Sequence, residues 1–444
     1  MQFGWLMSHL FALAGFGVAW FNPLFGLMVY YGFAIMRPTH LWFWNDWPYR
    51  RFSLYVAIAT IGGWALNGFG KWEVVRPVRL PMIGLFLYLF GGTVAWLVSG
   101  VAPDRAWAFL VLQYKIGLMA LITITLVRDP RHIQTLAWLI VGSLGYLAWE
   151  FNHAYKFDGW NRVLMRGFGG IDNNGVAMLM VMGVPLAFFM GFHARRWWVK
   201  GLCFLSVLMC IHVVLFSFSR GGQLGLCLIG AMIFYITFVN MPRKGMTLAL
   251  GAVALIFAFV FSGVEVRERF ASIFLDRAEL DASASSRFNT WSAAWRCIQD
   301  HPLGVGPRSF NMVSHLYGIP SNKSVHNLFL QTGADYGVLG MAGLVLFYFG
   351  SIWQTYQMAR SRTAQRLVWP RYFGHMVCIS LGGFLMCSQF IGVETVELGF
   401  IVALLGLCTV SHVNHLARAE ASEDSIPELA DVPRSDPRSM PQPV

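Results

Sequence analysis

The chain has 444 residues, of which 56% are hydrophobic and 12% charged, and its formal net charge is +11. A soluble domain usually carries about 25% charged residues, so this composition excludes a water-soluble globular protein and indicates an integral membrane protein. The basic excess does not indicate a nucleic-acid partner, because membrane proteins concentrate lysine and arginine in their cytoplasmic loops. The seven cysteines show no metal-ligand spacing and predict no disulfide framework.

Apolar segments long enough to cross a bilayer recur along the whole chain. A membrane-spanning helix needs about 20 apolar residues, so we predict an all-α polytopic bundle of about 12 or 13 transmembrane helices. The predicted spans are 3–21, 22–36, 52–69, 81–100, 106–127, 133–150, 175–192, 199–218, 221–240, 246–263, 334–357, 372–391 and 396–413. The second is short, and is either re-entrant or continuous with the first. The first lacks a basic n-region and a cleavage site and is predicted to be retained.

The distribution of lysine and arginine among the loops predicts which side each loop faces. Alternate loops, including those at 71–79, 195–200 and 360–371, hold most of the basic residues. The positive-inside rule places these loops and the C-terminus in the cytoplasm. The one large polar loop, at 264–333, then lies on the outer, extracytoplasmic side. The loop at 37–51 also falls on the outer side although it is basic, which leaves the topology of the first two spans open.

Four arginines on the predicted outer side run against the charge bias that sets the orientation: Arg166, Arg220, Arg287 and Arg308. An anionic ligand at the outer membrane face would account for them. Arg220 lies in the motif SRGG between two apolar spans, where a charge is costly unless it is paired or hydrated. The glycines after it allow backbone N–H groups to approach an anion. The alternative is an arginine that extends its side chain to the interface from a tight turn.

The stretch SSRFNTWSAAWRCIQDHPLG predicts an amphipathic helix on the outer leaflet that ends before Pro302. Its apolar residues at helical spacing are Phe288, Trp291, Trp295 and Ile298. Ser285 or Ser286 would cap this helix, so Arg287 would lie at its N-terminus, where backbone donors favour anions. The alternative is an ordinary charged interfacial helix.

His326 opens the apolar run that follows the long loop. Histidine is the side chain that titrates near neutral pH without help, so it suits the removal of a proton from a hydroxyl group. The alternative is a structural histidine at a helix start. Asp335 lies more than two helical turns further on, so the two side chains need not meet, and an arginine is an alternative partner for Asp335.

The glycine-rich turn RGFGGIDNN precedes another predicted span. Aspartate and asparagine are good N-cap residues, so Asp172 or Asn173 is predicted to cap the following helix. Capping does not account for Arg166, and Arg166 and Asn174 are therefore secondary candidates for the site.

Motifs of soluble enzymes, such as the P-loop, GxSxG and HExxH, do not occur in the sequence. The acidic residues of the outer loop are too dispersed to form a DxD-like pair for a divalent metal. The sequence therefore predicts a site that works without a metal ion or a cofactor.

Taken in order, several motifs resemble the O-antigen ligase and polymerase superfamily. They are SRGG at the outer end of a span, SRFNTW and HPLGVGPRSF in a large outer loop, and HNLFLQTGADYG after it. The turn DNN resembles the Asp-Pro-Asn turn of that superfamily. The N-terminal run YYGFAIMRPTHLWFW resembles the leader region of O-glycosylation ligases associated with exosortase systems. The resemblance covers roughly residues 1–415.

The resemblance implies a GT-C-like helical fold and an activity outside the bacterial inner membrane. A glycan on a polyprenyl diphosphate carrier would be transferred to a glycan, lipid or protein acceptor. By motif match, Arg220 and Arg287 would hold the diphosphate and His326 would act near the acceptor, with inversion at the anomeric carbon. Arg308 and Asp335 are secondary candidates. Two positions depart from the superfamily, which more often has glutamate at Asp335 and proline at Asn173.

The chain is predicted to consist of three parts. Residues 1–130 form an N-terminal transmembrane region, and residues 131–415 form the ligase-like core with its outer loop. Residues 416–444 are rich in proline, serine and acidic residues and are predicted to be a disordered cytoplasmic tail.

Other functions fit the same composition. The first is a polysaccharide polymerase of the same superfamily. The second is a transporter or flippase for a lipid-linked glycan, which predicts charges near the bilayer midplane and internal repeats. The third is a membrane assembly protein without catalysis, for which His326→Ala would have no effect. In each case membrane lipids surround the protein and no nucleic acid takes part.

Overall fold

The structure is a computed structural model that describes residues 2–44, 51–240, 282–321, 323–392 and 396–424, together with positions 244, 245, 252 and 256. Within these residues the chain is almost entirely helical, and an isolated β-bridge joins Phe168 and Ile171. The predicted all-α fold is therefore confirmed. Apart from positions 252 and 256, the predicted span 246–263 lies outside the described residues, as does the beginning of the outer loop.

The described part of the chain contains thirteen longer helices. They are α1 (Gln2–Ala19), α2 (Pro23–Met36), α3 (Phe52–Leu66), α4 (Arg79–Ser99), α5 (Pro103–Leu126), α6 (Pro130–Lys156), α7 (Asn173–His193), α8 (Trp197–Phe216), α9 (Arg220–Asn240), α10 (Ala282–Asp300), α11 (Leu328–Ala359), α12 (Trp369–Cys387) and α13 (Leu398–Asp424). Short helical turns lie between them at Pro38–Leu41, Trp72–Val78, Arg162–Arg166, Phe310–Val313, Ser314–Tyr317 and Arg362–Leu367.

Seven helices in the described part of the chain are long and apolar enough to cross a membrane. They are α4 with the turn before it, α5, α7, α8, α9, α11 and α13, and the apolar helices α1 and α3 are shorter. Side chains such as Leu13 and Leu97 stay about 70% exposed on the outside of the bundle, as expected where helices face lipid rather than water. The fold is that of a polytopic membrane protein. The number of about 12 or 13 crossings stays a prediction.

The loops collect at two opposite ends of the bundle, as the alternation of basic loops predicts. At one end, the Lys71 amide donates to Thr125 O (3.4 Å) and the Ser411 hydroxyl donates to Val74 O (2.7 Å). At the other end, the Arg162 guanidinium donates to His40 O (2.7 Å), and the Leu328 amide donates to Ser388 O (2.9 Å). The described part of the loop 37–51 therefore lies with the other loops that are predicted to be outside.

Glycines bring α4 and α11 into direct backbone contact. A Cβ atom added at Gly84 would lie 2.5 Å from Phe347 N, and one at Gly91 would lie 2.5 Å from Gly340 N. Small residues at a helix interface allow this approach inside a membrane, where packing rather than hydrophobicity drives association. The aromatic rings of Tyr88 and Tyr336 stack beside the contact at 4.9 Å. Helix α4 thus fixes the half of α11 that carries Asp335.

Helix α11 is interrupted at Gly337, which has φ 73° and ψ −179°. The segment after α10 fills the gap, since Val305 N donates to Ala334 O (2.9 Å) and Val338 N donates to Pro302 O (2.9 Å). A Cβ at Gly337 would lie 2.5 Å from Pro302 O, and one at Gly304 would lie 2.5 Å from Gly337 N. Only glycine fits at both positions, because a side chain would be strained in φ and would strike the facing backbone.

Two predicted boundaries are wrong. The outer loop does not extend to 333, because α11 begins at Leu328, where the Asn327 side chain accepts from the N–H groups of Phe329 and Leu330 at 3.1 and 3.0 Å. Disorder does not begin at Leu416 either, because α13 continues to Asp424. The alanine, arginine and glutamate residues of this stretch have high helix propensity, and they outweigh the polar composition from which disorder was predicted. Residues beyond 424 lie outside the described part of the chain.

Candidate active site

A hydrogen-bond network joins the turn before α7 to the turn before α9. Asp172 caps α7, as predicted, by accepting from Gly175 N (3.0 Å). The Asn174 amide donates to the Asp172 carboxylate (2.9 Å), and its oxygen accepts from the Ser219 hydroxyl (2.7 Å). The Ser219 oxygen in turn accepts from Gly222 N (3.1 Å) in the first turn of α9. The network thereby fixes the start of the helix whose first residue is Arg220.

Asn173 adds a second link between these turns, because its amide donates to Ser217 O at 2.8 Å. Proline, which the superfamily more often has at this position, could not make this bond. The departure at Asn173 therefore preserves the turn by a different contact.

Arg287 does not lie at a helix N-terminus. Helix α10 begins at Ala282, so Arg287 is more than one turn inside it, and neither Ser285 nor Ser286 is the cap. The end of the helix before Pro302 is as predicted. The predicted reason for Arg287 to attract an anion, the backbone donors of a helix start, is therefore wrong. The guanidinium charge itself remains.

The residues of the predicted apolar stripe of α10 are partly buried and partly exposed to the surroundings. Ile298 is buried, and the Trp291 indole donates to Val325 O (3.1 Å), whereas Phe288 and Trp295 stay about half exposed. The buried face consists of Thr290, Ala293, Ala294, Cys297 and Ile298. All of these except Thr290 pack together with Phe310 and other residues of the outer loop. Helix α10 thus contributes to a small core of its own above α11.

His326 has a backbone conformation that is unusual for a residue with a side chain, since its φ is 54°. Its neighbours on both sides are held, because Val325 N donates to the Gln331 side chain (3.0 Å) and Leu328 N donates to Ser388 O (2.9 Å). Asn327 also donates to the Gln389 side chain (3.0 Å). Such a conformation persists where the surroundings determine it, and it is often found at functional sites. The backbone at His326 is therefore held in place at the start of α11.

The charges around His326 bring several predicted residues together. Burial lowers the pKa of the imidazole, and the positive charges of Arg287 and Lys323 lower it further, while the negative charge of Asp172 acts in the opposite direction. His326 is thus within electrostatic reach of the arginine on α10 and of the cap of α7. Because its pKa lies below the ordinary value near 6.5, the ring is neutral at pH 7 and can accept a proton.

Asp335 holds the loop between α10 and α11 in place. Its buried carboxylate accepts from Ser309 N (3.0 Å), from Phe310 N (2.8 Å) and from the Gln331 side chain (2.7 Å). Gln331 therefore connects Asp335 to Val325, the residue before His326. Asp335 and His326 belong to one framework through this glutamine, although the two side chains are separate along α11.

Arg166 and Arg308 both lie against aromatic rings. The Arg166 guanidinium is 3.4 Å from the ring centre of Phe43, and that of Arg308 is 5.5 Å from the ring centre of Phe109. Contacts of this kind orient a guanidinium group while leaving its N–H donors available to a ligand. Arg308 also has φ 56° and directly precedes Ser309, which Asp335 binds.

Sequence reasoning missed Lys323, Gln331 and Asn327, which shape the surroundings of His326. Lys323 donates to the Ser286 hydroxyl, which joins the loop before α11 to α10. Asn327 could have been recognised as a cap from its place before the apolar run LFLQTG. The bridge made by Gln331 is also local, because Asp335 lies four residues further along the same helix, a spacing at which glutamine and aspartate can form a hydrogen bond.

The fold and these contacts define a polytopic, all-α membrane protein in which His326 and several arginines lie at one end of the bundle. Residues 204–345 match the family model described as O-Antigen ligase, and this region contains Arg220, Arg287 and His326. The resemblance of the motifs to the O-antigen ligase superfamily is therefore confirmed for this region, which makes up about a third of the chain. Arg166 and Asn174 precede the matched region.

A curated relative is the anti-sigma-F factor NrsF of Caulobacter vibrioides (strain NA1000 / CB15N), which is 32% identical over 89 residues. The alignment covers 20% of this chain and 39% of that protein, so the chain spans well under half of this relative. A match over so small a part of either chain does not indicate a shared function.

Proposed function

We propose that the protein is a membrane glycosyltransferase of the O-antigen ligase type. It would transfer a glycan from a polyprenyl diphosphate carrier to a glycan, lipid or protein acceptor on the outer side of the bacterial inner membrane. The observation that carries this proposal is the setting of His326, an imidazole whose pKa is lowered by burial and by Arg287 within the region that matches the family. A neutral histidine beside fixed positive charge suits transfer of a sugar from a diphosphate to a hydroxyl group.

In this mechanism the arginines stabilise the leaving group. Negative charge builds up on the diphosphate as the glycosidic bond breaks, and guanidinium groups match phosphate oxygens in geometry. Charges that are already in place before the reaction stabilise the transition state most, because nothing has to reorganise. Arg220, at the start of α9, and Arg287, on α10, would fill this role, with Arg166 as a further candidate. Positive side chains would thereby replace a divalent metal.

His326 would accept the proton of the acceptor hydroxyl while that oxygen attacks the anomeric carbon. Attack opposite the departing diphosphate inverts the configuration at this carbon. The electrons of the broken bond remain on the diphosphate, and the proton stays on the imidazole. The lipid chain of the carrier would lie between helices, against the bilayer.

The direct test is reconstitution of purified protein in proteoliposomes with a lipid-linked glycan fraction from the source cells and its candidate acceptors. The readout is released polyprenyl diphosphate, measured with and without EDTA. We expect release that EDTA does not change, and loss of about 10²–10⁴-fold in His326→Ala, which removes a general base.

His326→Asn is the matched control for the backbone. Asparagine tolerates a positive φ as well as histidine does but cannot act as a base at neutral pH, so it should fold normally and be as inactive as the alanine variant. Equal release from native protein and both variants would remove His326 from the mechanism. Release abolished by EDTA would contradict the metal-independent reaction.

The length of the product separates the two activities of this superfamily. A single addition to each acceptor supports a ligase, and a ladder of lengths supports a polymerase. Glycan that crosses the bilayer without release of diphosphate would replace the transferase with a flippase.

A further inference from the structure

A polar cleft at the same end of the bundle contains none of the three residues to which the reaction is assigned. It has a volume of about 440 Å³ and lies between six separate segments of the chain. Its polar lining includes Arg37, His40, Arg308 and Glu397, together with the backbone at Gly169. This volume is within the range of about 300–1,000 Å³ that is typical of small-molecule sites. The cleft combines the N-terminal region with loops of the ligase-like core.

Among the described residues that line the cleft there is one carboxylate, that of Glu397, and it is already compensated. Glu397 accepts a hydrogen bond from the Tyr30 hydroxyl (2.6 Å) and lies 3.6 Å from the Lys115 ammonium group, and its side chain is 11% exposed. Lys115 also lies 5.4 Å from the ring centre of Tyr30, which holds the group together. Glu397 and Lys115 together carry no net charge, so the guanidinium groups of Arg37 and Arg308 make the described lining of the cleft positive.

Both arginines are fixed by the fold. Arg37 ends α2 with φ 42°, and its guanidinium donates to Gly169 O. Arg308 has φ 56° and lies against Phe109. Positive φ at two residues with long side chains is uncommon, and at both positions it directs an arginine towards the same cleft. Guanidinium groups placed in advance suit a planar or tetrahedral anion.

The cleft adjoins the proposed active site through a single turn. Gly169 and Gly170 line the cleft, whereas Asp172 and Asn174 of the same turn belong to the network around Arg220. Arg308 is likewise followed by Ser309, which Asp335 binds. A sugar in the cleft is thus adjacent to the place where a glycosidic bond would form.

We propose that this cleft binds an acidic saccharide unit, one that carries a carboxylate or a phosphate group. Arg37 and Arg308 bind the charged group, and Glu397 and His40 are placed to contact hydroxyl groups. The proposal deepens the proposed function, because the acidic unit belongs either to the donor glycan or to the acceptor. Binding itself, however, requires no transfer reaction and can be measured separately.

The test is binding of defined sugars to the purified full-length protein in lipid nanodiscs by titration calorimetry. The acidic probes are trigalacturonic acid and glucose 6-phosphate, and their neutral counterparts are trigalactose and glucose. We expect at least one acidic probe to bind about tenfold or more tightly than its counterpart, the difference expected of a charge-assisted hydrogen bond. We also expect this preference to weaken as salt is added.

Arg308→Gln and Arg37→Gln should each lower the affinity for the acidic probe about tenfold and leave binding of the neutral probe unchanged. Arg105→Gln, which removes an exposed arginine at the start of α5 outside the cleft, is the matched control and should bind as the native protein does. If Arg37→Gln fails to fold because its bond to Gly169 is lost, Arg308→Gln remains decisive. Equal binding of acidic and neutral probes, or no binding of any, overturns the proposal, as does full affinity in Arg308→Gln.

The transferase assay with Arg308→Gln then identifies the source of the acidic unit. A raised KM for the lipid-linked donor assigns the cleft to the donor glycan, and a raised KM for the acceptor assigns it to the acceptor. Tight binding of acidic sugars by a protein that transfers nothing would support the proposed binding site and refute the proposed reaction. Transfer by a protein that binds acidic and neutral sugars equally would support the reaction and refute the binding site.

Discussion

The two ends of the bundle use arginine in different ways. At the end with the basic loops, arginines such as Arg76, Arg195 and Arg366 project into solvent, and the Arg366 guanidinium pairs with an exposed Glu420. At the other end, Arg162 is 3% exposed and donates to His40 O and Leu41 O at 2.7 and 2.9 Å. An exposed arginine needs little support to stay charged, whereas a buried one requires partners that the fold must supply.

The difference indicates which arginines set topology and which serve a site. The positive-inside rule depends on charge alone, so an arginine in a basic loop does not need a fixed side-chain position. Positive charge at the opposite end does not help to orient the protein in the membrane. Arginines there are nevertheless held by carbonyl oxygens and aromatic rings. Removing an arginine that the fold holds at the site should therefore affect activity, whereas removing a solvent-exposed arginine should have little effect at either end.

The largest effect is expected from the arginines assigned to the diphosphate. Arg220→Gln and Arg287→Gln should each lower kcat about 10²–10³-fold, as loss of a charge-stabilising donor does in other active sites. Arg366→Gln is the matched change at the other end and should leave kcat unaltered, because an exposed ion pair contributes only about 0–1 kcal/mol. Release of polyprenyl diphosphate by equal amounts of folded protein measures all three. Equal losses at the two ends would abolish the distinction between them.

Gly337→Ala should cost about 3 kcal/mol of folding stability, since alanine is strained at φ 73° and its Cβ would lie 2.5 Å from Pro302 O. The midpoint of thermal unfolding in detergent measures this loss. Gly142→Ala is the control, because a Cβ added there meets no atom within 4 Å and alanine favours a helix. A Gly337→Ala protein as stable as the control would show that the interruption of α11 is not required.

Asp335→Asn should destabilise the loop before α11 by about 1–3 kcal/mol. The side-chain oxygen of the asparagine can still accept from the N–H groups of Ser309 and Phe310. Its NH₂ group then faces the NH₂ group of Gln331, so these two donors have no acceptor between them. Hydrogen exchange of the Ser309 and Phe310 amides should therefore speed up. Asp104→Asn changes an exposed carboxylate in the first turn of α5 and should leave exchange in this loop unchanged. Unchanged protection in Asp335→Asn would contradict the role given to this carboxylate.

Local features of the fold could be predicted from the sequence because local chemistry determines them. Apolar length predicts most of the described helices, and Pro302 predicts the end of α10. Asp172, the cap of α7, is one of the two residues predicted for that position. Helix propensity near the C-terminus was underestimated, since composition suggested disorder where α13 continues to Asp424.

The parts that sequence reasoning missed depend on residues far apart in the chain. The interruption of α11 exists because the segment at 302–305 supplies the partners that Ala334 and Val338 lose. Arg37 and Arg308 share a cleft only because α2 and the outer loop meet in space. The assignment of Arg287 to a helix start failed for a different reason, since ASASS is as compatible with a helix as with a cap.

The smallest effect, and the most specific to His326, is a displacement of the pH profile. If the neutral imidazole is the base, the transfer rate falls as the pH drops through its pKa, which lies below the ordinary histidine value near 6.5. Lys323→Gln removes a positive charge that lowers this pKa, so the falling limb should move to higher pH. Asp172→Asn removes a negative charge that raises it, so the limb should move to lower pH, while asparagine still caps α7.

Single-turnover rates between pH 4.5 and pH 8 measure this displacement, and the position of the limb does not depend on the amount of active protein. Arg105→Gln, with its charge outside the site, should leave the limb in place. Structural damage at Asp172 or Lys323 would lower the plateau in both variants but would not move the two limbs in opposite directions. A limb that stays fixed in both variants would mean that a group other than His326 controls the rate.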